Sequence, residues 1–199
     1  MKILAFGDIH GDTKLAKELS EEADKQNVDY VIICGDLAGL EGSLSNLIGL
    51  FNKSILIVPG NHENDSMIDF LSKRYKALNL THYPLISMDN KIGFFGNGAV
   101  NIGAFGSSEI EIFSELKESF EKIKNADRKI MVTHTHPSGT LISKFTNLIP
   151  GSTAVRRAID ELNPDLVLCS HVHEAEGIEE EINNTKIISI GRKGKIIEL

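Results

Sequence analysis

The sequence predicts an α/β fold, and three observations carry that prediction. Short β-branched apolar runs alternate with segments whose apolar residues recur at helical spacing. The centre of the chain offers strand-like runs and glycine turns instead of helix. With 199 residues, 41% of them hydrophobic and 25% charged, the chain has a globular composition and the size of one domain, so residues 1–199 are read as a single domain.

KILAFG (2–7) is short and apolar in the manner of a buried strand. Leu15, Ala16, Leu19 and Ala23 follow at helical spacing, with Asp12 at the N-cap position. DYVIICGD (29–36) and KSILIVPGN (53–61) are the next strands, and such runs between amphipathic helices suggest βαβ units. Residues 80–108, with LISM, KIGFFG and NGAVNIGAFGSS, read as strands joined by glycine turns; the last of these shapes a pocket. Ser108 and Glu111 form a capping-box pattern before a helix whose apolar face is Phe113, Leu116, Phe120 and Ile123. KIMVTH (129–134) is another strand. GSTAVRRAIDEL (151–162) is a helix with Ala154, Val155, Ala158, Ile159 and Leu162 inward, stopped at Asn163-Pro164. DLVLCSH (165–171), a run near 174–182, KIISIG and KIIEL complete the chain, with Asn183-Asn184 as a hairpin turn.

Lys plus Arg number 21 against 28 Asp plus Glu, a formal net charge of −7. That balance argues against a broad basic footprint for duplex DNA or an anionic membrane. It is compatible with an anionic substrate, because cations held in a cleft reverse the local charge. No apolar run approaches the roughly 20 residues that span a bilayer, and Asp8 interrupts the N-terminal apolar stretch too early for a signal-peptide core. A cytoplasmic location is expected, with no membrane partner. Cys34 and Cys169 each end an apolar run and read as buried reduced thiols; two cysteines exclude a thiolate zinc cluster.

Polar residues interrupt the strands where they end. Asp8-Ile9-His10 follows the first strand, Gly35-Asp36 the second and Gly60-Asn61-His62-Glu63 the third, while His134 and Ser170-His171-Val172-His173 end two later ones. Ligands of open α/β sheets bind at the carboxyl ends of strands, so five such ends converge on one site. Asp-x-His and His-x-His place alternate side chains on one side of an extended backbone. Carboxylate, imidazole and amide oxygen suit Mn²⁺, Fe²⁺, Co²⁺, Ni²⁺ or Zn²⁺ better than Ca²⁺. Seven ligands exceed the need of one catalytic ion, whereas two ions sharing a carboxylate fit the count.

In this order, the motifs Asp8-x-His10, Gly35-Asp36, Gly60-Asn61-His62-Glu63, His134 and His171-x-His173 resemble those of the calcineurin-like metallophosphoesterase superfamily. VTHTHPSGT, GSTAVR and LVLCSHVHE are similar to segments of its small prokaryotic, archaeal-type members. The resemblance implies a four-layer sandwich of two mixed β-sheets flanked by helices. It implies that Asp8, His10 and His173 bind one metal, that Asn61, His134 and His171 bind a second, and that Asp36 bridges them. His62 would be the general acid and Glu63 would support the ligands from behind. Two departures stand out. Ser170 occupies the place of a usual Gly, which matters if that Gly is needed for its backbone and is mild if it only avoids crowding. His136 stands where relatives carry Pro, and it could compete with His134 or face solvent.

The implied activity is hydrolysis of phosphoesters, with diesters favoured, by a metal-activated water at a dinuclear site. The cofactors are two divalent ions, Mn²⁺ foremost with Fe, Ni, Co or Zn as alternatives, and the partner is a small phosphoester substrate. A non-catalytic scaffold would be expected to have lost ligands or His62, and none is lost here. A nuclease would need a nucleic-acid grip that neither length nor charge supplies. Asp12 is read as a helix cap, His82 as a surface residue, Glu179 to Glu181 as a solvated edge, and Arg156 and Arg157 as a solvated helix face with phosphate binding as the alternative.

Overall fold

A computed structural model of the chain describes residues 1–39, 45–75, 77–89, 91–101, 106–145 and 149–199. Its first half contains β1 (Lys2–Phe6), α1 (Thr13–Lys25), β2 (Tyr30–Cys34), α2 (Ser45–Ile48), β3 (Ser54–Val58), α3 (Asp65–Tyr75), β4 (Ala77–Asn79), β5 (Leu85–Ile86) and β6 (Ile92–Asn97). Its second half contains α4 (Glu109–Ile123), β7 (Arg128–Thr133), α5 (Thr153–Leu162), β8 (Leu166–Cys169), β9 (Glu179–Ile182), β10 (Thr185–Ser189) and β11 (Lys195–Glu198).

The strands form two mixed sheets. One has the order β11-β1-β2-β3-β4, with β1 to β4 parallel and β11 antiparallel to β1. The other has the order β5-β6-β7-β8-β10-β9, with β5 and β9 antiparallel at its edges.

Strand side chains alternate between faces, and both faces of each sheet are apolar. Ile3 and Ala5, Ile32 and Cys34, and Leu56 and Val58 meet Phe94, Ile130, Val132, Leu168 and Ile188 in a core between the sheets. The intervening residues Leu4, Phe6, Val31, Ile33, Ile55 and Ile57 pack outward against Leu19, Ala23, Leu47, Ile68 and Leu71. On the far side, Phe95, Met131, Val167 and Ile187 pack against Ile112 and Leu116 of α4 and Ala158 and Ile159 of α5. Helix, sheet, sheet, helix is the four-layer sandwich that the resemblance implied. Each buried aliphatic or Phe side chain contributes roughly 1.5–3 kcal/mol. A one-residue slip of a central strand would exchange its two sets of contacts, so register is strongly specified.

Local signals act as read. Asp12 accepts from the Leu15 N–H at 3.0 Å to start α1, and the Ser108–Glu111 capping box is complete. α5 ends at Asn163 with φ 49°. Asn183 and Asn184, at φ 51° and 67°, make the turn between β9 and β10. Glu179 is more than a solvated edge: the Lys186 and Lys195 ammonium groups each lie 2.6 Å from it, linking β9 and β10 to β11 of the other sheet. The two thiols are free and buried, Cys34 between the sheets and Cys169 beneath α4 and α5. Burial pushes both thiols well up, which keeps them protonated and inert. Among the described residues, no helix is long and apolar enough to cross a membrane.

Candidate metal centre

Asp8 and His10 follow β1, Asp36 follows β2, Asn61 to Glu63 follow β3, His134 follows β7, and His171 and His173 follow β8. The first three strands belong to one sheet and the last two to the other. Chain reversal at these ends uses unusual backbone. Asp8, His10, Asp36 and His171 have φ of 55°, 45°, 50° and 76°, a region that costs a non-glycine residue about 1–3 kcal/mol and clusters at functional sites. Gly35 is required beside them. At its φ of 83°, a Cβ would come 2.7 Å from His134 Nδ1. A Cβ on Gly60 would run into the Asp36 carboxylate.

Among the described residues three clusters result, each with potential ligand atoms within 4.8 Å of one another: Asp8 with His10 and His173, His10 with Asp36 and His62, and Asp36 with His134 and His171. Asp36 Oδ2 lies 3.5 Å from His134 Nε2 and 3.9 Å from both His10 Nε2 and His62 Nε2. His134 Nε2 is 3.0 Å from Asn61 Oδ1 and 2.9 Å from His171 Nδ1. Ligands about 2.0–2.2 Å from one cation come roughly 3 Å apart when adjacent, so these spacings fit a shared ion. Asp8 Oδ1 is buried with no hydrogen-bond partner; His173 Nε2 is 3.7 Å away, beyond hydrogen-bond reach. A cation would satisfy that oxygen.

The surroundings prepare these groups. His134 Nδ1 donates to the Cys34 carbonyl oxygen at 2.8 Å, which leaves the Nε2 lone pair aimed at the cluster. Glu63, 1% exposed, accepts backbone N–H bonds from Asp36 at 3.0 Å, Gly60 at 2.8 Å and Ala38 at 2.6 Å, tying the loops after β2 and β3 together. Burial raises the Glu63 carboxyl despite these donors. Burial also raises the Asp36 carboxyl, but the adjacent His134 overrides it and holds it at about 2. Burial lowers His134, and Asp36 with Asp8 outweighs that to bring it to about 9. The carboxylates thus stabilise a positive charge where a cation would sit, and binding an ion would expel the proton. Burial, reinforced by His134, lowers His171 to about 4, and burial likewise lowers His10.

All seven predicted ligands and His62 therefore converge. His62 also belongs to a cluster that could hold an ion, an arrangement its assignment as an acid did not anticipate. His136 lies outside the three clusters. It is fully buried, both ring nitrogens lack partners, and burial brings it down to about 4. Arg156 and Arg157 are engaged at 3.1 and 2.6 Å by Asp160 and Glu161 one turn on, as a solvated helix face should be. His82 is exposed.

Ser170 avoids the left-handed backbone region; the positive φ falls on His171 instead. Its hydroxyl donates to Asp8 Oδ2, which also accepts the His171 N–H at 3.1 Å. The Ser170 side chain fills the space above Gly7, where a Cβ would meet it. The contacts of the Cys34 carbonyl with His134 and of the Ser170 hydroxyl with Asp8 are ones that motif spacing did not reveal. A cavity of about 270 Å³ adjoins the centre, lined by Gly60, Glu63, Asn64, Asn97, Ser107 and Glu115 among others. The segment 97–108 does contribute to it, with 102–105 outside the described residues.

The four-layer fold and the carboxylate–imidazole clusters at its strand ends define a metallophosphoesterase-type protein. The chain belongs to the calcineurin-like phosphoesterases, whose family model matches residues 1–175. It is similar in structure to the protein TT1561 of Thermus thermophilus, with a TM-score of 0.74 at 16% identity over 96% of this chain and 90% of that one. It is also similar to a dimetal phosphatase from Danio rerio, with a TM-score of 0.69 at 14% identity over 96% and 88%. A novel archaeal phosphodiesterase gives a TM-score of 0.55 at 18% identity over 96% and 84%. No curated protein matches the sequence.

Proposed function

We propose that this phosphoesterase hydrolyses small phosphodiesters at a dinuclear centre. One observation carries the reading: Asp36 is common to a cluster with His10 and His62 and a cluster with His134 and His171, and His10 in turn belongs to the cluster of Asp8 and His173, so Asp36 stands between the two ligand groups. Asp8, His10 and His173 would hold one ion, and Asn61, His134 and His171 the other. The neighbours described as a dimetal phosphatase and a phosphodiesterase support the ion count and the ester class. The N/O donor set favours Mn²⁺, with Fe, Co, Ni or Zn as alternatives. When bound, the two ions supply Lewis acidity that acidifies a water nucleophile and offsets phosphoryl charge.

The chain's own groups do the rest. Asp8 and Asp36 bring buried negative charge, and the Cys34 carbonyl and Ser170 hydroxyl hold His134 and Asp8 in ligating orientation. His62 keeps its backbone N–H on Asp36 Oδ1 at 3.1 Å while its side chain stays 34% exposed. The ring is therefore open to a bound ester, where it would give a proton to the departing oxygen. Residues 1–199 act as a single domain, because the strands beyond the family match complete both sheets, β11 the first and β10 with β9 the second. The free thiols suit the cytoplasm. A hydrolysis panel of mono- and diesters with several divalent ions tests the proposal; absence of metal-dependent turnover on every ester would overturn it.

Two substitutions test the ligand assignment. Asp36→Asn is expected to lower the metal content from two ions to one or none per chain, because a bridging carboxylate neutralises both. Two tightly held ions by elemental analysis would show that Asp36 is not the bridge. Ser170→Gly removes one of two donors from Asp8 Oδ2, and loss of such a supporting contact typically costs 10–100-fold in metal affinity. Titration calorimetry of Mn²⁺ into metal-free protein should show about a tenfold loss. Unchanged affinity would mean that His171 N–H alone orients Asp8.

A further inference from the structure

The centre accounts for its metal ligands but not for a group that grips the phosphoryl oxygens. Arg156 and Arg157, the arginines considered for that task, are paired along α5. Arg192, in the turn between β10 and β11, is placed differently. The preceding Gly191 carbonyl oxygen accepts the Gly7 N–H at 3.2 Å, so the turn lies against the residue before Asp8. The Arg192 Nη2 donates to Asp12 Oδ2 at 2.9 Å, two residues beyond His10. Its Nε is buried, while the side chain as a whole is 43% exposed. These two contacts put the guanidinium beside the loop that carries Asp8 and His10 of the Asp8, His10 and His173 cluster.

We propose that Arg192 is a substrate-binding residue that clamps a non-bridging phosphoryl oxygen on the Asp8, His10 and His173 side of the centre. Asp12 occupies one of the five N–H donors of the guanidinium and holds its plane, which leaves donors for a second anion. Asp12 therefore has two tasks, its Oδ1 capping α1 and its Oδ2 anchoring Arg192. A cation here suits a substrate whose phosphoryl group keeps a negative charge, on a chain whose net charge of −7 would otherwise repel it.

The inference rests on the phosphoesterase reading, and its test separates the two. With Mn²⁺-loaded full-length protein, inorganic phosphate is the probe, as a competitive inhibitor and by calorimetry. Arg192→Gln should weaken phosphate binding roughly tenfold or more and raise KM by a similar factor. Metal content and melting temperature should stay near those of the parent. Asp12→Asn keeps a competent helix cap and should weaken phosphate several-fold, which preserves the test if Arg192→Gln fails to fold. Unchanged phosphate affinity in either folded variant would overturn the clamp while leaving the phosphoesterase reading intact. Failure of the unaltered protein to hydrolyse any ester would overturn both.

Discussion

Exhaustive removal of divalent cations is expected to abolish turnover and to lower the melting temperature. Asp8 and Asp36 are 1% and 2% exposed, and cations would offset the repulsion between these buried carboxylates. Asp8 Oδ1 has no hydrogen-bond partner, only His173 and His134 nitrogens at 3.7 and 4.0 Å. An ion that binds only the folded chain at 100 times its Kd stabilises it by about 2.7 kcal/mol. For a chain of this size that corresponds to about 5–10 °C. Mn²⁺ should restore both properties, and Ca²⁺ should restore them poorly because the site offers four imidazoles among its seven donors. Calorimetric melting and an ester assay before and after chelation decide the matter. Full activity in metal-free protein would remove the basis of the proposed chemistry.

His62→Asn should cut hydrolysis of alkyl phosphoesters by about 10²–10⁴-fold, the usual worth of general acid catalysis. Hydrolysis of p-nitrophenyl esters should fall much less, because a phenolate leaves without a proton whereas an alkoxide needs one. Metal content should not change. This last measurement matters because His62 Nε2 lies 3.9 Å from Asp36 Oδ2 and its ring stands edge-on to His10 at 4.9 Å between centroids. Loss of an ion would make His62 a ligand. Equal losses on both esters with metal retained would make it a phosphate clamp.

Much of the architecture was legible in the chain because buried parallel strands and amphipathic helices carry different periods. KILAFG, DYVIICGD and KSILIVPGN became β1 to β3, and the Asp12, Ser108 and Asn163 boundaries hold to the residue. Helix α3 is not among the elements the sequence predicts, although Met67, Ile68, Leu71 and Tyr75 pack on the core at helical spacing. Its apolar residues are few and lie directly behind the polar Gly60 to Glu63 loop, so the helical period is short and interrupted at its start. β4, with three residues, is too short to show any period. The identities of the candidate ligands were equally legible, since Asp, Asn and His side chains at strand ends have few structural reasons to recur five times.

The sequence by itself determined the layer pattern, the order of the motifs and the donor types, because these follow from local periodicity and side-chain chemistry. Only the tertiary structure decided how the donors are prepared. The ring of His134 is turned by a backbone carbonyl at Cys34, an atom every residue type possesses and no motif can mark. Ser170 reaches a carboxylate at Asp8, and Arg192 is held by Asp12 across 180 positions of the chain. Such pairings arise because two sheets bring distant strand ends into contact, and their polar groups, removed from water, must then satisfy one another.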